Sequence, residues 1–546
     1  MTRLTARTRT SHSRLHRILL WTSIVLTVLV VVTIIAGNIV LHRVGPLLRA
    51  RVIATLSARF DSRVELASFH VSAVRGFEIS GDGLKLYPNH LSMPEPLIQV
   101  DHFSFHLLGW QQLIQTPNFI NKVSVNGLEI HIPPKNERAN VPHLSSGSSS
   151  SSSSGAGQND EASQLTVGEI LVKNATLVFE KDQPGISPLT FVIHKLTLRS
   201  VAAGQPMKFD ATLINPRPLG NIATTGDFGP FDAQSPGDTP VDGRYSFTHA
   251  DLSTIRGIGG ILSSEGKYSG QLNHITVDGT TDTPDFQLAV ANHPMPLKAT
   301  FHAIVDGTSG NTHLEPVDAW LAQTHIVASG DVTRAPRGHG RDITLSCTVG
   351  PGLIQDILQL TAKSPPIMNG PLQVQAQIRI PPGDTTIGDR LEVNGTFALN
   401  GVHFTDPKVQ DKVDELSLRG QGHPQQAEQE VDAMKSGNLK AGTAANVAST
   451  ISGNFILSSG QIGFPALNYT VPGAKVKLTG RYLLPSEALD FTGAAMLQAH
   501  VSQMVTGWKS VLLKAVNPFF AKDGAGTEVP VRITGSRSHP DIGIGH

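Results

Sequence analysis

The sequence has 546 residues, and its 44 Lys and Arg are matched by 44 Asp and Glu, so the formal net charge is zero. This balance argues against a general binder of nucleic acids or of anionic surfaces, because such proteins carry a basic excess. The 52 Gly and 35 Pro favour strands and turns over long helices. The single cysteine, Cys347, excludes an intramolecular disulfide and a zinc site built from cysteines.

An uncharged apolar run extends from Ile18 to Leu41 and predicts a transmembrane helix. At about 1.5 Å per residue the run spans roughly 36 Å, enough to cross a hydrocarbon core about 30 Å thick. It is longer than the apolar core of a secretory signal peptide, and Ala36-Gly37-Asn38 is a poor cleavage site. We therefore expect an uncleaved anchor bounded by Ile18 and Leu41, with Trp21 at the cytoplasmic interface.

Arginines flank this anchor on both sides. The tail of residues 1–17 carries arginines and no acidic residue, so the positive-inside rule places it in the cytoplasm and the rest of the chain across the membrane. Arg43, Arg49, Arg51 and Arg59 follow the run, so the charge bias that sets this orientation is small.

Beyond the anchor, the spacing of apolar residues predicts a helix from Pro46 to Phe60 and then mostly strands. A pattern of alternating apolar residues on both sides of a two-residue offset occurs repeatedly before residue 200. Asp82-Gly83 and Asn126-Gly127 fill the offset in two copies, and both dipeptides favour turns with positive φ. Each copy is therefore either one strand with a bulge or two strands joined by a tight turn. The copies are Ile79, Gly81, Leu84, Leu86; Val123, Val125, Leu128, Ile130; Ile170, Val172, Ala175, Leu177; and Phe191, Ile193, Leu196, Leu198.

Composition divides the chain into regions. Every residue from Ser145 to Gly157 is Ser, Gly or Ala, which is typical of a flexible linker or an extruded loop. The polar stretch Gly420–Thr443 predicts a loop with a short helix around Gln425–Met434. The predicted order is a cytoplasmic tail (1–17), the transmembrane helix (18–41), a membrane-proximal region (42–144), the linker (145–163), a central β region (164–345) and a C-terminal β region (346–546).

Two runs near the C-terminus alternate between apolar and mostly polar residues. The first extends from Ala474 to Leu484 and the second from Leu489 to Val501, with a turn containing Pro485 between them. Such alternation predicts strands with one apolar face. Further helices are predicted at Gly352–Ala362, at Asp406–Leu416 and, on an amphipathic stripe, at 501–520.

The predicted strands present more apolar surface than the few predicted helices can cover. Two sheets could pack face to face as a closed sandwich. Alternatively, one long curved sheet could leave an apolar groove open to a ligand such as a lipid acyl chain. Periodicity does not decide between them. The candidate groove-lining residues indicated by the alternation include Val476, Leu478, Phe491 and Leu497.

Motifs for catalysis or cofactor binding are weak or missing. His102 and His106 share a strand face but lie roughly 13 Å apart, too far to bind one metal together. The segment Gly507-Trp508-Lys509-Ser510 is similar to the end of a phosphate-binding loop, but Ser502 stands where the first glycine belongs. The sequence contains neither an H-E-x-x-H helix nor a G-x-S-x-G turn. We therefore expect no enzyme activity, no metal and no cofactor.

The order of several segments resembles the AsmA-like proteins of diderm bacteria, which are related to the TamB-type envelope proteins. The resemblance covers nearly the whole chain after the apolar run, and its specificity lies in the order of degenerate motifs. The segments are FHVSAVRGFEISGDGLKLY (69–87), INKVSVNGLEIHIPP (120–134), LTVGEILVKNATLVFEKDQPG (165–185), KVQDKVDELSLRGQG (408–422), LNYTVPGAKVKLTGRYLL (467–484), LDFTGAAMLQAHVSQMVTGWKSVLLKAVNPFF (489–520) and GAGTEVPVRITGSRSHPDIGI (524–544).

This resemblance implies an inner-membrane anchor with a periplasmic body. The implied fold is mainly β, an elongated, curved antiparallel β-sheet with an apolar groove and a few short amphipathic helices. The implied role is phospholipid transport or outer-membrane assembly, with membrane lipids and other envelope proteins as partners, no nucleic acid and no catalytic residues. The chain is shorter than the largest members of the family. The alternative is a non-catalytic envelope scaffold with a closed β-sandwich body.

Overall fold

The structure is a computed structural model, and backbone contacts divide the chain into two units, Met1–Leu213 (unit 1) and Ile214–His546 (unit 2). The predicted anchor Ile18–Leu41, the linker 145–163 and the predicted helix 501–520 lie outside the described residues. The structure describes residues 49–50, 52–54, 56–58, 61–72, 77–89, 95–107, 119–132, 166–179, 189–202, 204–230, 235–335, 340–435, 446–500, 526–537 and 539–544.

Unit 1 is built from long strands that pair mostly antiparallel, β1 with β2, β2 with β3, β3 with β4 and β5 with β6. Strands β4 and β5 run parallel, which corrects the prediction of an entirely antiparallel body. Parallel neighbours need a long crossover connection, and residues 133–165, with the Ser-rich segment, separate β4 from β5 in the sequence. The strands are β1 (Ser62–Ser72), β2 (Phe77–Pro88), β3 (Ile98–Leu107), β4 (Phe119–Ile132), β5 (Thr166–Phe179) and β6 (Leu189–Ala202); β7 (Met207–Pro216) crosses the division between the units.

The repeated sequence pattern of unit 1 corresponds to complete strands with a break in the middle. Between β1 and β2, Gly83 is left out of the ladder, although Leu84 pairs with Leu66 and Asp82 with Ser68 in one unbroken register. Equivalent breaks occur between the next four pairs of strands, again without a change of register. Each copy is therefore one strand, but without the extra residue that defines a bulge. The prediction of two strands joined by a turn was wrong, and the prediction of one strand was right except that the strand has no bulge.

Left-handed residues at the breaks explain why the apolar pattern changes phase there. Gly83 has φ of 63° and Asn174 has φ of 51°, a region that glycine and asparagine adopt at low cost. The backbone turns at such a residue, so apolar side chains an odd number of positions apart reach the same face. Val125 and Leu128, three residues apart on β4 with the left-handed Gly127 between them, accordingly both pack against the buried cluster of Leu66, Val100 and Phe103.

A short helix packs on this cluster. The chain is helical at residues 49–50, 52–54 and 56–58 (α1), in agreement with the predicted helix over the residues described. Ile53 contacts the cluster, and the Arg49 guanidinium donates a hydrogen bond to the Leu66 carbonyl. The Ser57 hydroxyl donates to the Ser62 carbonyl, so α1 is fastened to the start of β1.

Unit 2 forms an open antiparallel sheet in which strands pair in sequence order from β8 to β25, with the short β10 and β17 added at the side of β12 and β19. Its described strands belong to one sheet, rather than to two sheets that face each other. The bounds are β8 (Leu219–Phe228), β9 (Pro240–Asp251), β10 (Ile258–Gly259), β11 (Ile261–Gln271), β12 (His274–Leu288), β13 (Met295–Val305), β14 (Thr312–Leu321), β15 (Thr324–Arg334), β16 (Arg341–Leu353), β17 (Met368–Asn369), β18 (Pro371–Ile380), β19 (Glu392–Phe404), β20 (Ser449–Ser458), β21 (Gln461–Val471), β22 (Ala474–Leu483), β23 (Ala488–Leu497), β24 (Thr527–Ser536) and β25 (His539–Ile544).

Among the described residues of unit 2, four α-helices interrupt the strands: α2 (Ile354–Thr361), α3 (Ile387–Arg390), α4 (Pro407–Gly420) and α5 (Pro424–Lys435). The predicted helices at Gly352–Ala362, Asp406–Leu416 and Gln425–Met434 are confirmed by α2, α4 and α5. Asp406 caps α4 by accepting a hydrogen bond from the Lys408 amide at 2.8 Å, with Pro407 at the first helical position. No helix among the described residues is long and apolar enough to cross a membrane.

Candidate functional site

One face of the unit 2 sheet is apolar across many strands. Residues directly opposite each other in an antiparallel pair project to the same side of the sheet, so the register identifies two continuous rows. We call the surface that contains these rows the apolar face. One row is Val349, Val374, Phe397, Gly453, Leu467, Leu478, Gly493 and Val531, and the other is Leu372, Leu399, Ile451, Tyr469, Val476, Ala495 and Val529.

The opposite face of the same strands is polar. On β22, for example, Lys475, Lys477, Thr479 and Arg481 are exposed and alternate with the apolar residues. This is the period of two that the sequence predicts for a strand with one apolar side. The two faces of the sheet therefore differ sharply in chemistry.

The four predicted groove-lining residues all lie on the apolar face. Val476 and Leu478 belong to the two rows, Phe491 lies opposite Gly480, and Leu497 lies opposite Ala474. Leu497 is only 4% exposed, because it packs in a cluster with Val413 of α4. Leu478 is half-buried and lies outside that cluster.

Among the described residues, two helices pack on the apolar face, both towards one end of it, which we call the helix end. Helix α4 contributes Val413 to the cluster over Leu497, and Ile354 and Ile357 of α2 pack on a second cluster that includes Leu399 and Val402. Towards the other end, the far end, side chains such as Leu478 and Ile378 are half-buried. The clusters that contain these helices are therefore confined to part of the face.

Aromatic rings pack together on the apolar face, where Phe491 is only 7% exposed and Phe464 is half-buried. Phe464 has its ring centroid 5.7 Å from that of Phe491 and 6.2 Å from that of Phe397. Phe491 lies opposite Gly480, where an added Cβ would come within 2.6 Å of the Phe491 ring. Glycine at this position lets the ring lie close over the neighbouring strand, an arrangement that shields the exposed backbone.

Buried polar groups hold α4 in place. Asp414 is 1% exposed, and its carboxylate accepts hydrogen bonds from the Gln410 side chain at 2.9 Å and from the backbone amides of Asn446 and Val447 at 2.9 and 2.8 Å. The Ser417 hydroxyl donates to the Pro472 carbonyl at 2.9 Å. A buried carboxylate is stable only with such donors, so these bonds fix the position of the helix.

Sequence reasoning missed this polar side of α4. Gln410, Asp414, Ser417 and Gln421 recur at intervals of four, three and four residues, which places them on one side of a helix. We predicted the helix from its apolar residues, and its polar residues would ordinarily face water. Their regular spacing was the available signal.

Helix α2 is fastened in a similar way. Asp356 is buried and accepts hydrogen bonds from the Thr324 hydroxyl at 2.8 Å and from the Gln323 amide at 3.2 Å. The His293 ring contacts the Gln359 carbonyl at 3.1 Å, which connects α2 to the turn after β12. The helix therefore bridges separate turns at the helix end of the sheet.

A half-buried tyrosine lies between the two apolar clusters that include α2 and α4. Tyr469 packs against both apolar clusters, and its hydroxyl is 3.1 Å from the hydroxyl of Ser449. Burial raises the pKa of Tyr469 to about 12. The phenol is therefore held in its neutral form over a wide pH range.

Hydrogen bonds join loops at the two ends of the unit 2 sheet. Arg256, in the loop after β9 at the helix end, donates to the Asp384 carbonyl at 2.8 Å, and its own carbonyl accepts from the Ile387 amide at 3.2 Å. Residues 384 and 387 lie in the β18–β19 connection at the far end. Farther along the sheet, Arg537 donates to the Pro365 carbonyl at 3.0 Å. In both cases a loop at the helix end of the sheet contacts a loop at the far end, and the far-end loop comes much later in the sequence.

Several histidines of the described residues lie next to a carboxylate, among them His102, His302 and His313. No group of three or more His, Cys, Asp or Glu in this part of the chain is arranged to hold a metal ion. A hydrogen bond from the Ser68 hydroxyl and the His102 ring, whose nitrogen lies 2.7 Å from the carboxylate, lower the pKa of Asp82. The segment 507–510 that is similar to a phosphate-binding loop lies outside the residues described.

Comparison of the chain with protein-family models, with curated proteins and with solved structures gives no match. A function for the chain is therefore inferred from its sequence and from the geometry of the apolar face.

Proposed function

We propose that this chain is a membrane-anchored, non-catalytic lipid-handling protein of the AsmA-like type. In this proposal Ile18–Leu41 anchors the chain in the inner membrane, the body lies in the periplasm, and the apolar face carries phospholipid acyl chains during outer-membrane assembly. The observation that carries the proposal is the apolar face itself, whose rows continue past the residues covered by α2 and α4.

Energetics favour an apolar occupant for such a face. Each methylene transferred from water to an apolar surface contributes about 0.8 kcal/mol, so an acyl chain gains several kcal/mol by lying on a row of Leu, Val and Phe side chains. Contiguous apolar patches on a protein surface usually mark a binding site. The described rows carry no regularly spaced polar groups, which suits a lipid because an acyl chain makes no hydrogen bonds.

The contacts between opposite ends of the sheet support a curved, groove-like shape for unit 2. Strands of a sheet twist relative to their neighbours, and the bonds from Arg256 to Asp384 and from Arg537 to Pro365 support a sheet that winds so that loops from its opposite ends meet. A wound sheet whose inner side is apolar would shield acyl chains from water.

Lipid extraction tests this function. The full-length chain purified in mild detergent is expected to retain phospholipid that mass spectrometry detects, and Leu478→Asp is expected to lower the lipid content several-fold. Thr479→Asp places the same charge on the opposite face and is expected to retain lipid. A lipid-free wild type, or equal lipid loss in the two variants, would contradict the proposal.

A further inference from the structure

Two arginines lie opposite each other at the far end of the apolar face. Strands β15 and β16 pair from Ile326–Val349 at the helix end to Val332–Ile343, and the next pair on the same face is Arg334–Arg341. On this face, the residues of both strands between the helix end and this pair are all apolar or small. Arg334 is exposed and Arg341 is half-buried.

The pair is exceptional in its surroundings. Among the register-paired residues described in β11 to β24, no other Asp, Glu, Lys or Arg projects to the apolar face. Charged residues of these strands, such as Lys298, Arg379 and Lys477, lie on the polar face instead. Two cations therefore stand alone at the margin of a surface that otherwise excludes charge.

Like charges opposite each other on neighbouring strands repel. Arg341 donates a hydrogen bond to the Gly310 carbonyl at 2.5 Å, and burial together with the nearby Arg334 lowers its pKa. No carboxylate of the described residues forms an ion pair with either guanidinium. Neighbouring carboxylates have other partners: Asp342 pairs with Arg379 at 3.3 Å, and Asp306 accepts from Thr308 and Ser309.

We propose that Arg334 and Arg341 together bind the phosphate of a phospholipid headgroup. Guanidinium groups bind phosphate oxygens through paired, charge-assisted hydrogen bonds, and a phosphate between them would neutralise their repulsion. This inference rests on the function proposed above and adds to it a headgroup site and an orientation for the lipid.

The dimensions of the face fit this orientation. From Val332 to Ile326 strand β15 extends about 20 Å at roughly 3.3 Å per residue. One bilayer leaflet has a hydrocarbon thickness of about 15 Å, half of the full core. An acyl chain attached to a phosphate at Arg334 can therefore lie along β15, with Ile343 and Leu345 of β16 beside it.

The experiment compares lipids with and without the phosphate. The full-length chain in detergent is irradiated with a phosphatidylglycerol that carries a photoactivatable acyl chain, and separately with a diacylglycerol that carries the same chain. We expect the double variant Arg334→Gln, Arg341→Gln to lose labelling by the phospholipid about tenfold and to keep labelling by the diacylglycerol.

Two further variants serve as controls. Arg334→Gln alone keeps the hydrogen bond of Arg341 to Gly310 and is expected to reduce phospholipid labelling several-fold without loss of thermal stability. Arg532→Gln removes an exposed arginine from the polar face of β24 and is expected to label like the wild type.

The outcomes separate this inference from the proposed function. Unchanged phospholipid labelling of the double variant, or equal loss for both lipids, contradicts the headgroup site while leaving a lipid-carrying face intact. If neither lipid labels the wild type, the proposed function fails and the headgroup site with it. Binding of inorganic phosphate is measured separately by calorimetry. If the wild type binds phosphate, the double variant does not, and the two label equally with the phospholipid, the arginine pair is a site for free phosphate instead.

Discussion

Asp414 on α4 accepts a hydrogen bond from the backbone amide of Val447 at 2.8 Å and so joins the helix to the segment that leads into β20. The same carboxylate also accepts from the Asn446 amide. This one buried side chain thus fixes the position of α4, and with it the part of the apolar face that α4 covers.

Removal of this carboxylate is expected to destabilise unit 2. Asp414→Ala leaves two backbone donors without their acceptor, and each unsatisfied buried group costs about 1–3 kcal/mol. We expect the free energy of unfolding in urea to fall by about 2–4 kcal/mol. Lys412→Ala, at an exposed position of the same helix, is expected to change it by no more than about 0.5 kcal/mol. Equal stability of the two variants would show that Asp414 does not hold the helix.

Charge on the apolar face is expected to have different effects at its two ends. Leu497→Asp buries a carboxylate beneath Val413, and we expect the body to unfold or to lose several kcal/mol of stability. Leu478→Asp lies outside that cluster, and its stability is expected to remain within about 1.5 kcal/mol of the wild type. Thermal unfolding followed by circular dichroism measures both. A loss at Leu478 as large as that at Leu497 would identify a closed core rather than an open face.

The close approach of Phe491 to Gly480 is expected to make this glycine sensitive to substitution. An added Cβ would come within 2.3 Å of the Asp490 carbonyl oxygen and 2.6 Å of the Phe491 ring. Overpacking of this kind costs about 1–3 kcal/mol, so Gly480→Ala should lower the urea midpoint. The control is Gly463→Ala, whose Cβ would have its nearest neighbour 3.8 Å away. Matching midpoints for both variants would contradict the packing described.

Tyr469 is expected to make stability depend on pH in the alkaline range. Its pKa is raised from 10.0 to about 12 by burial, so the folded state keeps a proton that the unfolded state loses. This contribution is complete below about pH 10 and is lost as pH rises from about 10 towards 12. Between about pH 9 and about pH 11, denaturant titrations should show a larger loss in the free energy of unfolding for the wild type than for Tyr469→Phe. Parallel losses in the two proteins would mean that the phenol titrates normally.

The sequence predicts local structure well where a single periodicity acts. The alternation through Val476, Leu478 and Gly480 predicts β22, and the apolar spacing near Asp406 predicts α4, because side-chain direction alone sets both patterns. Periodicity alone does not predict the breaks at Gly83 and Asn174, because one left-handed residue changes the phase of the alternation without ending the strand.

Relationships between distant residues were harder to predict. The parallel pairing of β4 with β5 depends on a long connection rather than on the strands themselves. Arg334 and Arg341 look like ordinary surface arginines in the sequence, and only the register places them opposite each other on the apolar face. Asp414 likewise needed the tertiary structure, because its partners Asn446 and Val447 lie far along the chain.

The most direct measurement of the central claim is site-specific photo-crosslinking in growing cells. A benzoyl-phenylalanine is placed either at Leu478 on the apolar face or at Thr479, its neighbour on the polar face, and the purified chain is analysed for covalently attached phospholipid. The proposed function predicts phospholipid adducts at Leu478 and none at Thr479. Protein adducts without lipid at Leu478, or lipid adducts of equal yield at both positions, would contradict a lipid-carrying apolar face.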